Sequence, residues 1–435
     1  MAQLIATRAQ GKFPLDRPHP SILIVAAKWW PSSARLAVAL QRHGCQVSAI
    51  CPAGHPLTHV SGIRRIYRYG GIFSLANLRG AVLDCQPDLV IPCDDGVVAQ
   101  LHALYELDPS LTSLIDTSLG APESYSVVSS RYDFLNTAIE LGIRVPRTQK
   151  VTSTEDLEHW HDTVGPLAVV KVDGESGGNG VRVCRTFDES LTAWQELHRP
   201  PGRATAWKRF AIDRDPLALW SRRQSSERQL TVQAFVPGRP ANSMLVCWRG
   251  ELLSLISVLV VAAEGSTGAA TVVRVIQNER MKKAAELVVS RLKLSGFYGL
   301  DFIMESGTGV PYLIEMNPRC TQLGHIELPG KGSLAGVLSA VLRGEQKPSA
   351  QNPIRSDTIA LFPQALAAGD ACRSYIESSH HDMPLEEPHL MSELLLKSWP
   401  QRRWAARVYH TFKPLQRVAP IVFEGRASGT IAAVR

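Results

Sequence analysis

A lysine-bearing strand that runs into a glycine-rich loop and emerges as a second strand most limits what this chain can fold into. Residues 167–183 read LAVVKVDGESGGNGVRV, and four of the nine residues after Lys171 are glycines. Glycines permit positive φ and let backbone N–H groups approach phosphate oxygens, to which a lysine adds a point charge. GxxxxGK[ST] is absent and the loop leads into a strand, so this is not a Walker A loop. Taken alone, the stretch favours a phosphate-binding hairpin over a plain glycine-rich one.

A second pattern places acidic and amide side chains on two successive strands. Asp301 lies on one apolar strand, and Glu315 and Asn317 lie two residues apart on the next. Residues two apart project from the same face of a strand, so Asp301 can converge with both. Two carboxylates and an amide oxygen form an incomplete oxygen shell, which Mg²⁺ favours because it keeps positions for water and nucleotide phosphates. Arg319, just past the strand, can reach a transferred phosphoryl group or a substrate carboxylate.

Strands and helices alternate over the first hundred residues, which predicts an open parallel sheet. No GxGxxG follows the first strand, so a dinucleotide site has no support there. Asp94 and Asp95 lie at the carboxyl end of a strand, where α/β sheets bind ligands, but capping of the following helix is the favoured role. The predicted elements are strands at Ile22–Ala26, Gln46–Cys51 and Asp88–Pro92 and helices at Ala34–His43 and about Gly96–Leu107.

The rest of the chain is predicted to be mixed. After a helix from Ser130 to Leu141, strand-rich stretches near 167–185 and 229–262 flank a polar, Arg-rich connection. Later predictions are a helix at about Glu279–Lys293 and strands at Phe297–Met304, Val310–Met316 and Thr358–Phe362. The basic stretch Trp399–Arg417 carries Trp404, Tyr409 and Phe412; a solvated segment packed by its aromatics is favoured over a surface for a membrane or partner.

Length and composition fit a soluble protein of two or three domains, since the chain has 435 residues, 45% hydrophobic and 20% charged. No apolar run reaches the roughly 18 residues of a membrane span, and the N-terminus has no signal-peptide pattern. Eight cysteines without CxxC or Cys/His metal spacing indicate reduced thiols in a cytoplasmic protein. The net charge of +7 is assigned to a site for anionic ligands rather than to nucleic acid.

The ordered set of Lys171, the Gly174–Gly180 loop, the QAFVPG run at 233–238, Asp301 and the EMNPR run at 315–319 resembles the ATP-grasp superfamily. That superfamily includes D-alanine–D-alanine ligase, biotin carboxylase and the carbamoyl-phosphate synthetase large chain. The resemblance covers roughly residues 20–345. It implies an α/β chain in which an N-terminal open parallel sheet precedes a two-lobed, α+β ATP-grasp domain. The expected division is 20–120, 121–345, and a C-terminal extension of unknown role at 346–435.

The resemblance also implies roles for individual residues. Asp301, Glu315 and Asn317 match ligands of Mg²⁺ or Mn²⁺, and Arg319 matches the arginine that faces the reacting phosphoryl group, with Arg274 as a looser second catalytic candidate. The implied ATP-binding residues are Arg131, Lys171, Gly174, Ser176, Gly177, Gly178, Gly180, Gln233, Ala234 and Val236.

Two positions depart from the family pattern. Arg131 stands where a lysine is usual, eleven residues before Gly142. An arginine keeps the charge and can bind phosphate bidentately, so ATP binding is expected to survive. The hinge lacks the usual glutamate, since Gln233 and Ala234 stand there, and Ala241 or Asn242 occupies the place of a ribose-binding acid.

The implied function is an ADP-forming ligase that activates a carboxylate as an acylphosphate for attack by an amine. The alternatives are a bicarbonate-phosphorylating, carboxylase-like or carbamoyl-phosphate-like enzyme and a non-catalytic ATP-binding regulatory protein. The expected partners are small-molecule carboxylate and amine substrates, with a homodimer left open and with no nucleic acid or membrane. His325, close after the metal strand, is assigned equally to an acceptor-facing role and to packing.

Overall fold

Three β-sheets and the helices that cover them make up the described part of the chain. A computed structural model describes residues 18–174, 180–199, 202–224, 228–265, 268–345, 353–413 and 419–423. The strands are β1 Ser21–Val25, β2 Gln46–Cys51, β3 Ile66–Arg68, β4 Leu89–Pro92, β5 Thr148–Val151, β6 Ala168–Val172, β7 Val181–Cys184, β8 Leu230–Ala234, β9 Gly238–Trp248, β10 Glu251–Glu264, β11 Ala270–Ile276, β12 Gly296–Glu305, β13 Pro311–Asn317, β14 Thr358–Ala360, β15 His380–His381 and β16 Pro420–Val422.

The α-helices follow in the same order along the chain. They are α1 Pro31–Arg42, α2 Ser74–Cys85, α3 Asp95–Leu107, α4 Thr112–Leu119, α5 Tyr125–Ser129, α6 Arg131–Glu140, α7 Thr154–Thr163, α8 Phe187–His198, α9 Arg203–Ala211, α10 Ala218–Gln224, α11 Glu279–Leu292, α12 Leu334–Leu342, α13 Gln364–Ala367, α14 Arg373–Ser378, α15 Pro388–Leu394, α16 Trp399–Arg402 and α17 Trp404–Phe412. No helix in these described ranges is both long and apolar enough to cross a membrane.

The N-terminal sheet is parallel, as predicted, with strand order β3-β2-β1-β4. β1 has a partner on each side, because Ile22 pairs with Val47 of β2 and with Leu89 of β4. A central parallel strand is covered on both faces, which explains its uninterrupted apolar sequence. Helix α1 begins at Pro31, three residues before the predicted start, because the fixed φ of proline suits the first helical position.

The large sheet is antiparallel over its central strands and carries the predicted metal strands side by side. Its order is β13-β12-β9-β10-β11-β14-β15, with β16 paired to β10. Asp301 of β12 lies opposite Glu315 of β13 and, on its other side, opposite Asn242 of β9. The predicted pairing of the two strands is therefore confirmed.

The small sheet has the order β5-β8-β6-β7 and holds the lysine strand at its centre. Lys171 of β6 lies opposite Val181 of β7 and Thr231 of β8. Trp160 of α7 is fully buried in the core that covers this sheet. The glycine loop therefore leaves the sheet from a strand that is held on both edges.

One hydrophobic core joins the N-terminal sheet to the large sheet. Ile24 of β1 and Leu40 of α1 belong to the same buried cluster as Met244 of β9 and Phe297 of β12. The two sheets are therefore packed against each other through shared side chains. The domain divisions at residues 120 and 345 stay a prediction.

The predicted capping role of Asp94 is wrong. Asp94 stands at the N-cap position of α3, but its side chain makes no capping hydrogen bond there. Its Oδ2 instead accepts from the backbone N–H of Ala27 at 2.5 Å and of Lys28 at 3.3 Å. The carboxylate satisfies donors that β1 leaves unpaired as it ends, and it thereby fixes the chain at the carboxyl edge of the sheet.

The Arg-rich connection between β7 and β8, which are both strands of the small sheet, contains three helices, α8 to α10. Phe210 of α9 packs so closely on Gly71 that a Cβ there would lie 2.6 Å from its ring. Leu217, just before α10, lies equally close to Gly96 of α3. This part of the chain therefore reaches back from the small sheet onto the N-terminal sheet.

The C-terminal aromatics divide into two kinds. Trp399 lies beneath the guanidinium groups of Arg214 and Arg403, as expected of a packed aromatic. Trp404 and Phe412 are 74% and 82% exposed, so the expectation that the aromatics of this stretch pack is wrong for these two.

Replacement of Leu40 by alanine should destabilise the protein. Leu40 is fully buried in the shared core, so its truncation leaves a cavity. We expect the free energy of unfolding to fall by about 2–5 kcal/mol in urea denaturation. Leu107→Ala is the control, because this leucine is 70% exposed and its loss should change the unfolding midpoint little. Equal effects of the two substitutions would contradict the assignment of Leu40 to the core.

Candidate functional site

A cavity of about 970 Å³ lies where the small sheet, the large sheet and the carboxyl edge of the N-terminal sheet meet. Its lining includes most of the residues predicted from the sequence, namely Arg131, Lys171, Gly180, Gln233, Ala234, Val236, Asp301, Glu315, Asn317 and Arg319. A second concavity of about 950 Å³ lies beside α1 and is open to solvent, and its lining includes none of these residues.

Asp301 is held by amide groups from the strands on either side. Asn242 Nδ2 donates to its Oδ1 at 2.6 Å, and Asn317 Nδ2 donates to its Oδ2 at 3.0 Å. An ionised carboxylate offers about four lone-pair sites, so both oxygens keep capacity for a further partner. The antiparallel register brings Glu315 directly across from it.

Burial in this site and the negative charge of Glu315 together raise the pKa of Asp301 to about 6. The amide donors of Asn242 and Asn317 act in the opposite direction. Two facing carboxylates repel each other, and a cation between them would relieve both the repulsion and the desolvation.

Arg131 joins the glycine-loop strand to the metal strand. It is the first residue of α6, and Ser130, its N-cap, accepts from the N–H of Asp133 as predicted. Its two terminal nitrogens contact different acids: Nη1 lies 2.8 Å from Asp173 Oδ1 and Nη2 lies 2.8 Å from Glu315 Oε1. Only 7% of the arginine side chain is exposed. A lysine has a single nitrogen and lacks the planar fork that places a separate nitrogen on each acid.

Lys171 contacts the predicted hinge residue. Its Nζ donates to Gln233 Oε1 at 2.8 Å, and Gln233 Nε2 donates in turn to Thr148 Oγ1 at 3.1 Å. The lysine is buried, and burial lowers its pKa to about 8, helped by the nearby positive charge of Arg131. A buried ammonium with a neutral amide partner is poorly compensated, so an incoming anion would bind there favourably.

Arg319 crosses from the large sheet to the N-terminal sheet. Its Nε donates to Asp95 Oδ1 at 2.8 Å, and its Nη2 donates to Asn317 Oδ1 at 3.2 Å. Burial opposes the charged form of the guanidinium, but the carboxylates of Asp95 and Asp94 outweigh burial and raise its pKa. The arginine lines the cavity and is fixed in place from two sides.

Several sequence predictions fall outside this constellation. Arg274 is not among the described residues that line the cavity, and its Nε donates to Thr358 Oγ1 at 3.2 Å. Gly174 lines a smaller cavity beside Asp173 and Arg131. Ser176, Gly177 and Gly178 lie outside the described residues.

His325 is a packed histidine rather than a cavity residue. Its Nε2 lies 2.8 Å from Asp382 Oδ2, and the same carboxylate pairs with Arg35 through Oδ1 at 2.6 Å. All three side chains are at most 10% exposed. This buried group ties α1 and the segment after β13 to the C-terminal region.

Three contributors were missed or only half recognised from the sequence. The sequence indicates no role for Asp173 beyond the glycine loop, although it pairs with Arg131, and it suggests Asn242 only as a substitute for a ribose-binding acid, although it donates to Asp301. Asp95 was noted at the sheet edge, but its partner Arg319 lies 224 residues away. Pro240 and Asn242 are two residues apart on β9 and both line the cavity, so the two-residue repeat of a strand is a local signal for Asn242.

The donor set fits a hard divalent cation in part. In the described ranges, no group of three or more His, Cys, Asp or Glu side chains converges as a complete metal site. Asp301 and Glu315 lie opposite each other on β12 and β13, and Asn317 turns its amide nitrogen to Asp301 and its oxygen to Arg319. Mg²⁺ is commonly held by one or two carboxylates together with substrate phosphates. The residues therefore suit a metal ion that arrives with a phosphorylated ligand better than one bound by protein alone.

Comparisons with known proteins agree with this fold. Residues 217–322 match the family model described as ATP-grasp domain. N5-carboxyaminoimidazole ribonucleotide synthetase from Thermus thermophilus is 19% identical, with a TM-score of 0.52 over 75% of this chain and 79% of that chain. Carboxyaminoimidazole ribonucleotide synthase from Aspergillus clavatus, complexed with ATP, is 13% identical, with a TM-score of 0.58 over 78% and 80%.

A further similar structure is the biotin carboxylase domain of Hydrogenobacter thermophilus 2-oxoglutarate carboxylase, in complex with ADP, its magnesium salt and bicarbonate. It is 13% identical, with a TM-score of 0.56 over 77% of this chain and 72% of that chain. At such identities the likeness shows the fold alone. No curated protein matches the sequence.

Asp301→Asn should stabilise the metal-free protein above about pH 6. The folded state raises the pKa of Asp301 from 3.8 to about 6, so it binds the proton more tightly than the unfolded chain. Stability contributed by this residue therefore falls as pH rises from about 4 to about 6 and stays lower above. We expect the variant to melt at a higher temperature than the wild type near pH 8, with the difference shrinking towards pH 4.

Thermal melts with a chelator present measure this difference. Asp188→Asn, at an exposed position of α8, is the control and should show no such pH-dependent gain. A variant that is less stable than the wild type at every pH would show that the carboxylate is compensated in the metal-free protein.

Proposed function

This chain has the ATP-grasp fold, and on that basis we propose that it is an ATP-dependent, ADP-forming ligase. It activates a carboxylate as an acylphosphate, which an amine then attacks to form an amide. The observation that carries the proposal is that Asp301, Glu315 and Asn317 line one cavity between the sheets together with the cationic side chains of Arg131, Lys171 and Arg319. Phosphoryl transfer needs this combination, since it depends on positioning and on compensation of charge.

The nucleotide end of the cavity lies against the small sheet. Gln233, 2% exposed, presents its side chain next to Lys171, and Ala234 and Val236 continue along the hinge with their backbone groups. Apolar side chains with a few convergent polar groups are typical of sites for small planar ligands. We infer that the adenine lies along residues 233–236, and that Lys171 then donates to a phosphate oxygen.

The phosphate end lies between Arg131, the metal strands and Arg319. A divalent ion held by Asp301, Glu315 and Asn317 would neutralise phosphate charge and polarise the phosphoryl group. Arg131 already bridges Asp173 and Glu315, so it fixes the glycine-loop strand relative to this acidic group. Preorganised charges of this kind lower the barrier because they need not reorient as the reaction proceeds.

In the proposed reaction, a carboxylate oxygen of the substrate bonds to the γ-phosphorus while the bond to the β-phosphate oxygen breaks and ADP leaves. Arg319 is positioned to compensate charge on the moving phosphoryl group. The amine nitrogen then bonds to the acyl carbon, phosphate leaves with the bonding electrons, and the amine proton passes to phosphate or water. No covalent bond to the protein is required.

The acceptor end of the cavity is formed by the segment after β1 and the segment after β13. Lys28, Trp29 and Trp30 follow β1, and Gln322 and Leu323 follow β13. These residues offer one ammonium, one amide and several apolar surfaces. They suit a carboxylate that carries an apolar body.

A bicarbonate-phosphorylating enzyme is the second candidate. It is favoured by one observation, the bicarbonate present in the similar biotin carboxylase domain from Hydrogenobacter thermophilus. A non-catalytic ATP-binding regulator is disfavoured, because loss of an acidic ligand would be expected there and both Asp301 and Glu315 are present.

Release of ADP from Mg-ATP by the purified chain separates these functions. Pools of amino acids, other carboxylates paired with amines, and bicarbonate are tested in turn. Turnover that needs both an organic carboxylate and an amine supports the ligase, and turnover with bicarbonate alone supports the second candidate. Tight ATP binding without turnover in any pool would sink both.

Glu315→Gln should abolish ADP formation. The change removes one of two facing carboxylates and the ionic partner of Arg131. We expect a fall in kcat of roughly 10²-fold or more, the scale seen when a preorganised electrostatic group is lost. Glu158→Gln, at an exposed position of α7, is the matched control and should leave kcat unchanged. Near-normal turnover in the Glu315 variant would remove the proposed metal site.

Asp95→Asn should lower kcat more than it changes the KM for ATP. Asp95 holds Arg319 from the N-terminal sheet, and an amide keeps the shape but not the charge. A charge-assisted hydrogen bond is about twice as strong as a neutral one, so we expect a loss of roughly tenfold in kcat. The control Asp84→Asn breaks a surface ion pair between α2 and Arg65, the residue just before β3. A lower melting temperature with unchanged kcat would give Asp95 a purely structural role.

A further inference from the structure

Helix α17 turns an apolar face towards solvent. Ala406, 1% exposed, lies against the protein, whereas Trp404, Val408 and Phe412 are 74%, 40% and 82% exposed. These three residues are spaced by four and so form one stripe along the helix. A surface helix normally shows solvent its polar side and buries its apolar side. In α17 the arrangement is reversed.

The charged residues of the segment around this helix are all basic. Residues 394–423 contain six lysines and arginines and no aspartate or glutamate. Arg402 pairs with Glu393, which precedes this segment, and Arg403 donates to the carbonyl of Ala211 at 2.9 Å. Arg407 and Lys413 are exposed beside the apolar stripe. The outward face thus combines aromatic side chains with positive charge.

The neighbouring helix α9 also exposes an aromatic side chain and a basic one. Helix α9 contacts α17 through Lys208, whose Nζ lies 5.8 Å from the ring centroid of Tyr409. On α9, Trp207 is 54% exposed and Arg203 is also exposed. A third large aromatic side chain and another cation therefore lie on a helix that packs against α17.

We propose that this aromatic–basic face, formed by Trp404, Arg407, Val408, Phe412 and Lys413 with Trp207 beside it, docks reversibly on an anionic lipid surface. Tryptophan and phenylalanine insert at the headgroup boundary, and lysine and arginine are attracted to anionic headgroups. Docking would be peripheral, since no described helix could cross a bilayer. The sequence alone favours a solvated segment packed by its aromatics, but the exposure of Trp404 and Phe412 favours a docking surface instead. The proposal does not depend on the reaction in the cavity.

The positive charge favours lipid over a second copy of the chain. Two copies that met through this face would bring exposed cations such as Arg407 and Lys413 together, with no acidic residue between 394 and 423 to offset them. A nucleic acid would also supply negative charge. It would leave Val408 and the apolar edge of the stripe without an apolar partner, whereas a bilayer supplies one.

Co-sedimentation of the full-length chain with vesicles tests the proposal. Vesicles of phosphatidylcholine alone are compared with vesicles that also contain phosphatidylglycerol. We expect at least about tenfold more protein bound to the anionic vesicles, with a loss of binding as salt is added. Trp404→Ser combined with Phe412→Ser should abolish binding, and Arg407→Gln combined with Lys413→Gln should weaken it.

Leu107→Ser is the matched control, because this leucine is 70% exposed on α3, a helix that contributes no residue to the face. It should bind vesicles as the wild type does. Equal binding to both kinds of vesicle, no binding to either, or unchanged binding of the Trp404/Phe412 variant would each overturn the proposal. So would self-association that the same variant abolishes, or tighter binding to a single-stranded oligonucleotide than to anionic vesicles.

Discussion

The site depends on a single buried cation that holds two carboxylates from different sheets. Arg131 takes Asp173, at the start of the glycine loop, with one nitrogen and Glu315, on the metal strand, with the other. A buried charge is tolerated only when it is paired, and loss of one partner typically costs about 3–5 kcal/mol. The planar fork of arginine meets both acids at once. This explains why the residue that departs from the superfamily pattern still suits the position, and it sets the distance between the small sheet and the acidic group.

The N-terminal sheet also helps to fix the geometry of the site, through a shared core and an ion pair. Ile24 and Phe297 share one core, and the ion pair between Asp95 and Arg319 crosses the same boundary at the edge of the cavity. Asp94, which does not cap α3, fixes the turn after β1 that lines the cavity. The geometry of the cavity therefore rests on how two sheets dock as well as on the motif-bearing strands.

Patterns of short range were predictable, and contacts of long range were not. The apolar run at Ile22–Ala26 predicted a central parallel strand because burial on both faces leaves no room for alternation. The spacing of Glu315 and Asn317 placed them on one face for the same kind of reason. The partner of Arg319 lies 224 residues away, and nothing local marks it. Asp94 shows that prediction also fails over a short range. Its position before α3 is that of a helix cap, but its carboxylate accepts instead from the backbone N–H of Ala27, just after β1.

Helix α9 serves two environments. Its Thr205, Lys208 and Arg209 line the cavity, while Trp207 on the same nine-residue helix faces outwards. A rigid helix cannot shift on one side alone. If a ligand in the cavity changes how strongly Trp207 binds a surface, then by thermodynamic reciprocity that surface changes the ligand's affinity by the same factor. Helix α9 thus offers a path for coupling between ligand binding in the cavity and attachment of the protein to a surface through Trp207.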